Sequence, residues 1–182
     1  MSSAALVSVE EYLGHASKPA CEYVAGALRP KPMPTKLHAL IQYLLVALLR
    51  KQGIDALPEV TLRLEERKFL IPDVIAAPFV EEPYPTKPVL LCAEILSPED
   101  RLNVVFAKCE DYHAWGVPFC WIIDPIQRTG WEYHAGHSPT AVTLPGNLRA
   151  GNLIVRMDDL FSDQIRQTKT GSQAETPEAD RS

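Results

Sequence analysis

The sequence predicts a domain of the mixed α/β or α+β class, with a central mixed sheet flanked by helices on both faces. Segments with helical and with strand-like patterns alternate along the chain, which is the order expected for such a layered domain. Two runs, VLLCAEIL and FCWIID, are almost wholly apolar, as is typical of strands that are covered on both faces. The chain has 182 residues, of which 46% are hydrophobic, and this is enough for one core.

Local signals predict the elements of the N-terminal half in order. An S-x-x-E capping box at residues 8–11 opens a short helix, and residues 21–30 have the pattern of a hairpin. Thr35 is placed to cap a helix over 36–52, because apolar residues recur there at helical spacing. Residues 58–77 have the pattern of two strands around a polar turn.

The C-terminal half alternates in the same way. Residues 89–96 form the first apolar strand, Pro98 suits a helix start, and residues 101–115 have the pattern of a helix. Residues 119–124 form the second apolar strand, and shorter candidate strands follow at 131–135 and 152–157. We expect one domain over 1–165 and a disordered polar tail over 166–182, since the tail is poor in apolar residues.

Composition and charge argue against several classes of protein. A net charge of -5 is unusual for a protein with a large basic nucleic-acid-binding face. No apolar run approaches the roughly 20 residues that cross a bilayer, and the first residues lack the basic start of a secretory signal. The four cysteines form no C-x-x-C pair. We therefore expect reduced thiols, no membrane association and a cytoplasmic location.

Two carboxylates interrupt stretches that otherwise have the pattern of buried strands. Asp73 follows a proline within one apolar run, and Glu94 lies within the next. A buried charge costs several kcal/mol unless it is paired or binds a metal. If the two strands are neighbours, both side chains can share one Mg²⁺ with the carbonyl of Ile95, because this ion prefers oxygen ligands. Lys108, in the middle of the following helix, is then the cation expected near the nucleophile.

Simpler explanations of these residues remain open at this point. Asp73 could mark the end of a strand, and Glu94 could form a structural ion pair with Lys108. The basic loop that contains Lys31 could be a solvated linker or a phosphate contact. The H-x-x-H pattern at residues 134–137 favours a surface hairpin over a zinc site.

Several segments occur in an order and spacing that resembles one protein family. They are CEYVAGAL, PEVTLRL, IPDVIAA, VLLCAEILSPED, KCEDYHAWGVPFCWIIDP and NLRAGNLIVRMDDLF. Over residues 9–161 the chain resembles the Uma-two family of restriction-endonuclease-like proteins, within the PD-(D/E)XK nuclease superfamily. The resemblance implies a restriction-endonuclease-like fold. It also implies an endonuclease that uses Mg²⁺ or Mn²⁺ to hydrolyse DNA phosphodiester bonds.

The resemblance also assigns the catalytic residues. Asp73 resembles the first metal-binding acid of the family, and Glu94 resembles the second. The superfamily usually has a lysine two residues after the second acid, where this chain has Leu96. The family instead supplies a lysine from the following helix, and Lys108 matches it. Glu22 resembles an early strand glutamate that can join the metal site.

The resemblance extends to two candidate substrate-binding residues. His38 resembles the histidine of the first long helix, and Gln42 lies one turn further along it. The chain departs from the family pattern at Ala25, where an acid is usual, and at residues 99–103, where a Ser/Thr-rich turn with a basic run is usual. Neither departure touches the proposed metal site.

Two other classes of function compete with the nuclease. The chain could be a catalytically idle interaction module of the same fold, which its acidic net charge favours. It could also be a metal-dependent hydrolase of a small phosphorylated or nucleotide substrate. A nuclease that cuts both strands of a duplex gains from two active sites, so we expect a homodimer.

Overall fold

The computed structural model describes residues 6–14 and 20–162. The predicted tail, 166–182, lies outside these residues. The helices are α1 (Val9–Gly14), α2 (Lys36–Arg50), α3 (Leu102–Trp115) and α4 (Met157–Leu160). The strands are β1 (Cys21–Val24), β2 (Ala27–Pro30), β3 (Asp55–Pro58), β4 (Leu62–Glu65), β5 (Lys68–Leu70), β6 (Val74–Ala77), β7 (Leu91–Ile95), β8 (Phe119–Asp124), β9 (Thr129–His134), β10 (Thr140–Thr143), β11 (Asn147–Ala150) and β12 (Leu153–Arg156).

A six-stranded mixed sheet forms the centre of the molecule. Its strand order is β10-β9-β8-β7-β6-β3. The pair β7 and β8 is parallel, with α3 as the crossover between them, and the other neighbours are antiparallel. A separate four-stranded antiparallel sheet has the order β2-β1-β5-β4, and β11 pairs with β12. The predicted class, a mixed sheet with flanking helices, is confirmed.

The two faces of the central sheet pack against different helices. Side chains alternate between faces along a strand, so Trp121 and Ile123 of β8 join one core, while Cys120 and Ile122 join the other. The first core includes α2, and the second includes α3. This alternation also decides where Glu94 points. Its neighbour Cys92, two residues earlier on β7, belongs to the core beneath α3, so the carboxylate lies on the α3 side.

The structure differs from the local predictions in three places. Asp73 lies in a bend before β6 and not within a strand, because its side chain accepts a hydrogen bond from the backbone N–H of Ile95 on the neighbouring strand. Helix α3 begins at Leu102, one residue after the start of the predicted helix 101–115, and Pro98 lies before it. The residues between form a turn, in which the Asp100 carboxylate accepts a hydrogen bond from the Ser97 N–H at 2.7 Å. The segment 58–77 also contains three strands where two were predicted.

No helix in residues 6–14 or 20–162 combines the length and the apolar character of a membrane span.

Gly116 ends α3 in a conformation that an alanine would strain. Its φ is +112°, and an added Cβ would lie 2.8 Å from Cγ of Pro88. We expect Gly116→Ala to lower the free energy of unfolding by about 2–3 kcal/mol, measured by urea denaturation. Gly53→Ala is the matched control, because Gly53 has φ +80° but no atom within 4 Å of the added Cβ. Equal losses for the two variants would show that the contact with Pro88 contributes nothing.

Candidate active site

A pocket of about 150 Å³ lies where the start of β6 meets the end of β7, two neighbouring strands of the central sheet. Asp73, Glu94 and Lys108 all line it, and so do Glu22 and His38. They come from five places in the chain: the bend before β6, the end of β7, the middle of α3, strand β1 and the first turn of α2. The pocket has room for an ion and several water molecules.

Asp73 is buried and has a hydrogen-bond donor on each carboxylate oxygen. Its Oδ1 lies 2.7 Å from Nζ of Lys31. Its Oδ2 accepts a hydrogen bond from the N–H of Ile95 at 2.7 Å and lies 3.2 Å from Nε2 of His38. Burial alone would raise the pKa of Asp73, but the hydrogen bond from His38 and the charge of Lys31 lower this pKa well below its usual range. Asp73 is therefore ionised at neutral pH.

Glu94 is also buried, but its charge is less well compensated. Its Oε1 accepts a hydrogen bond from the Tyr112 hydroxyl at 2.7 Å, and Nζ of Lys108 lies 2.9 Å from the same oxygen. Burial raises the pKa of Glu94 from its ordinary value of 4.5 to about 7, although the charge of Lys108 opposes this shift. The charge of Asp73 raises the pKa of Glu94 further. At neutral pH this carboxyl is thus poised between its two protonation states.

Glu22 contacts Lys108 and the backbone in the structure. Its Oε1 accepts a hydrogen bond from the N–H of Ile71 at 2.9 Å and lies 2.7 Å from Nζ of Lys108. Burial lowers the pKa of Lys108, but the carboxylates of Glu94 and Glu22 outweigh it and raise that pKa above its usual range. Lys108 is therefore charged, and it bridges the two glutamates. The role of Glu22 as a metal ligand stays a prediction.

His38 and Gln42 both contact Asp73. The side-chain amide of Gln42 donates a hydrogen bond to the backbone carbonyl of Asp73 at 2.9 Å. Thr35 caps α2 as predicted and accepts a hydrogen bond from the N–H of His38, which fixes the first turn of the helix beside Asp73. Within the described part of the chain, the buried Nδ1 of His38 has no hydrogen-bond partner. Their binding of substrate stays a prediction.

Two residues of the site received no specific role from the sequence. Lys31 was only part of a basic loop, yet its ammonium group contacts the Asp73 carboxylate. Tyr112 lies one turn after Lys108 on α3 and is fully buried against Glu94. The i,i+4 spacing from Lys108 is the one signal in the sequence that points to Tyr112.

The donor atoms of this pocket suit a hard divalent cation. Carboxylate oxygens from Asp73 and Glu94 face the same pocket, and Mg²⁺ commonly takes one or two carboxylates and keeps several waters. Within residues 6–14 and 20–162, no group of three or more His, Cys, Asp or Glu side chains is arranged to hold a metal ion. The fit is therefore to a two-carboxylate site, in which lysine ammonium groups now occupy positions beside both acids.

The raised pKa of Glu94 predicts how stability depends on pH without metal. Between pH 4.5 and about 7 the folded state binds a proton on Glu94 that the unfolded state does not bind, so this group's contribution to stability falls as pH rises. We compare the free energy of unfolding of Glu94→Gln with that of wild type at each pH. From pH 5 to pH 8 this difference should shift in favour of the variant by up to about 3 kcal/mol. Urea denaturation in EDTA at both pH values measures this. An equal loss of several kcal/mol at both would identify Glu94 as half of a structural ion pair.

Comparisons with known proteins agree with this architecture. The sequence model of the Uma2 family, described as "Putative restriction endonuclease", matches residues 9–158. A crystal structure described as a "putative nuclease belonging to DUF820", from Anabaena variabilis, superposes with a TM-score of 0.73 at 23% sequence identity. The match covers 86% of this chain and 98% of that chain. A comparison with curated proteins finds no significant match. The expected family and the expected fold are both confirmed.

Proposed function

This chain belongs to the Uma2 family, a family of nuclease-like proteins, and from this premise we propose that it is a Mg²⁺- or Mn²⁺-dependent endonuclease that hydrolyses DNA phosphodiester bonds. The observation that carries the proposal is the meeting of Asp73, Glu94 and Lys108 in one pocket. Two acids and a lysine, brought together from separate elements, supply the donors and the cation that phosphodiester hydrolysis needs.

Each residue has a distinct part in this proposal. Asp73 and Glu94 would hold the divalent ion, and the N–H of Ile95 orients Asp73 from the neighbouring strand. A bound Mg²⁺ would lower the pKa of a water and neutralise charge that builds up on the phosphate. The ammonium group of Lys108, already 2.9 Å from Glu94, would donate a hydrogen bond to the attacking water or to a phosphate oxygen. The Tyr112 hydroxyl also fixes Glu94, because it donates a hydrogen bond to Oε1.

The pairing of each acid with a lysine favours one alternative. In a catalytically idle interaction module of the same fold, Lys31–Asp73 and Lys108–Glu94 would be structural ion pairs that never open to a metal. The convergence of both pairs on one pocket, which Glu22 and His38 also line, weighs against this alternative, because structural ion pairs need no shared open pocket.

A cleavage panel tests the proposed function. Supercoiled plasmid, single-stranded DNA, RNA and free nucleotides are each incubated with the protein in Mg²⁺, in Mn²⁺ and in EDTA. We expect the plasmid to be nicked or linearised with either ion and to stay intact in EDTA. Hydrolysis of nucleotides alone would indicate a small-molecule hydrolase. The absence of every product would favour the idle module.

We also propose a homodimer, since a duplex presents two strands for cleavage and two-fold dimers are the commonest assembly. Light scattering at micromolar concentrations should return about twice the chain mass of 20.2 kDa. The monomer mass across that range would contradict the dimer. We further propose a cytoplasmic location, since Cys92, Cys109 and Cys120 are buried thiols that form no disulfide.

A further inference from the structure

Lys31 makes unusually many contacts for a lysine in a loop. It follows the last residue of β2 and has only 13% of its side chain exposed. Its ammonium group lies 2.7 Å from Oδ1 of Asp73, donates a hydrogen bond to the carbonyl of Ile71 at 3.0 Å, and lies 3.9 Å from the carboxylate of Glu59. The side chain therefore reaches from the loop to the floor of the pocket.

We propose that Lys31 is a second lysine of the active site with two successive positions. In the metal-free protein it is the counter-ion of Asp73. When a divalent ion binds Asp73, the ammonium group moves to a phosphate oxygen of the DNA. This inference rests on the proposed function, because it assumes a metal and a phosphodiester at this pocket.

The first step of the argument concerns the two oxygens of Asp73. The N–H of Ile95 and the ring of His38 both contact Oδ2. Oδ1 accepts a hydrogen bond from Nζ of Lys31. Oδ1 is therefore the oxygen that Asp73 would offer to a metal, and the ammonium group of Lys31 already contacts it. Two cations that compete for one oxygen repel each other, so Lys31 weakens metal binding as long as it stays.

The second step concerns which of the two lysines a bound metal ion would displace. Lys31 and Lys108 both donate hydrogen bonds to the carbonyl of Ile71, so the two ammonium groups already lie close together. Lys108 also contacts two close carboxylates, those of the partly buried Glu22 and the buried Glu94, at 2.7 and 2.9 Å. Lys31 has one such carboxylate, and its second, Glu59, is 3.9 Å away and 45% exposed. Lys31 is therefore the lysine that a bound ion would displace, and Lys108 would stay in place.

The third step concerns where the displaced ammonium group goes. Glu59 and Lys31 line the same pocket, so Glu59 can hold the ammonium group at the pocket rim after it leaves Asp73. A DNA phosphate presented at that rim is a stronger partner than an exposed carboxylate on a flexible side chain, because it is fixed by the bound duplex. Lys31 thus links occupancy of the metal site to binding of the substrate.

Two substitutions separate this role from a purely structural one. Lys31→Met removes the charge, and Lys31→Gln removes the charge but keeps a donor for Ile71 and Asp73. Lys51→Met is the matched control, because Lys51 is exposed at the opposite end of α2 from His38. Metal affinity is measured by melting-temperature titration with Mn²⁺. DNA affinity is measured by fluorescence anisotropy of a short duplex in Ca²⁺, which also takes oxygen ligands.

We expect both Lys31 variants to bind Mn²⁺ about tenfold more tightly than wild type. We expect them to bind the duplex about tenfold more weakly, with a salt slope lower by about one. Lys51→Met should match wild type in Mn²⁺ affinity and in salt slope. Variants that fold only when Mn²⁺ is present would also support the counter-ion role, since the metal then replaces the missing cation.

Other outcomes overturn the inference in ways that distinguish it from the proposed function. Unchanged Mn²⁺ affinity in folded Lys31 variants, with metal-dependent cleavage by wild type, would reject Lys31 as a competitor and leave the nuclease standing. Tighter Mn²⁺ binding with an unchanged salt slope would reject the phosphate contact. Tighter Mn²⁺ binding without cleavage of any nucleic acid would support the counter-ion and reject the nuclease. Variants that fold neither with nor without Mn²⁺ would make Lys31 structural and overturn the inference.

Discussion

Asp73→Asn is expected to lower the rate of DNA cleavage by about 10³-fold and to remove the rise in melting temperature that Mg²⁺ produces in the wild type. The amide is a poor ligand for Mg²⁺ compared with the carboxylate. The variant should also lose about 3 kcal/mol of stability without metal, because the positive charge of Lys31 then loses its nearest anion and keeps only the exposed Glu59. Plasmid cleavage, melting curves with and without Mg²⁺, and urea denaturation in EDTA measure the three effects.

Asp55→Asn is the matched control for this prediction. Asp55 is an exposed residue at the edge strand β3, so the same chemical change there should leave cleavage and the metal response intact. If Asp73→Asn kept both cleavage and the Mg²⁺-induced rise, Asp73 would not be a metal ligand. If only its stability fell, Lys31–Asp73 would be a structural pair and the idle module would be preferred.

Lys108→Met is expected to lower cleavage by about 10²–10³-fold while metal binding is retained. In the proposed mechanism the ammonium group of Lys108 donates a hydrogen bond to the attacking water or to a phosphate oxygen and does not contact the ion, so its loss should affect the reaction more than the metal site. The metal-free variant should lose about 3–5 kcal/mol, because Glu22 and Glu94 are left close together without their shared cation. Mg²⁺ can compensate that charge, so the metal-induced rise in melting temperature should exceed that of the wild type.

Lys87→Met is the control for Lys108, because the Lys87 side chain is 82% exposed. It should leave the cleavage rate and the melting curves unchanged. If Lys108→Met cleaved DNA at the wild-type rate, the ammonium group would not be needed for the reaction. A lost response to Mg²⁺ would show instead that Lys108 holds the acids in place for the ion.

The sequence predicts most of the framework because its signals there are local. The capping residue Thr35, the helical spacing after it and the two apolar strands each depend on neighbours within a few residues, and each element is present. The same reasoning fails for β3, β10 and β11, which are short strands of four residues. Edge strands such as β3 and β10 keep polar or proline residues, so they lack the apolar alternation that marks a strand.

The residues of the candidate site also differ in how well the sequence predicts them. Asp73 and Glu94 stand out in the sequence because a charge in an apolar run requires a partner or an ion. Lys31 does not stand out, because its partner Asp73 is 42 residues away and no periodic pattern relates the two. The position of Asp73 before β6 was missed for a similar reason. It depends on a hydrogen bond from Ile95, 22 residues further along the chain.

Anomalous diffraction from a crystal grown with Mn²⁺ tests the metal site most directly. We expect one anomalous peak at the pocket, bound to carboxylate oxygens of both Asp73 and Glu94, with the ammonium group of Lys31 moved away from Asp73 and Lys108 still beside Glu94. A crystal in which no peak contacts these two acids, and in which Lys31–Asp73 and Lys108–Glu94 remain paired as they are here, would contradict the proposed metal-dependent nuclease.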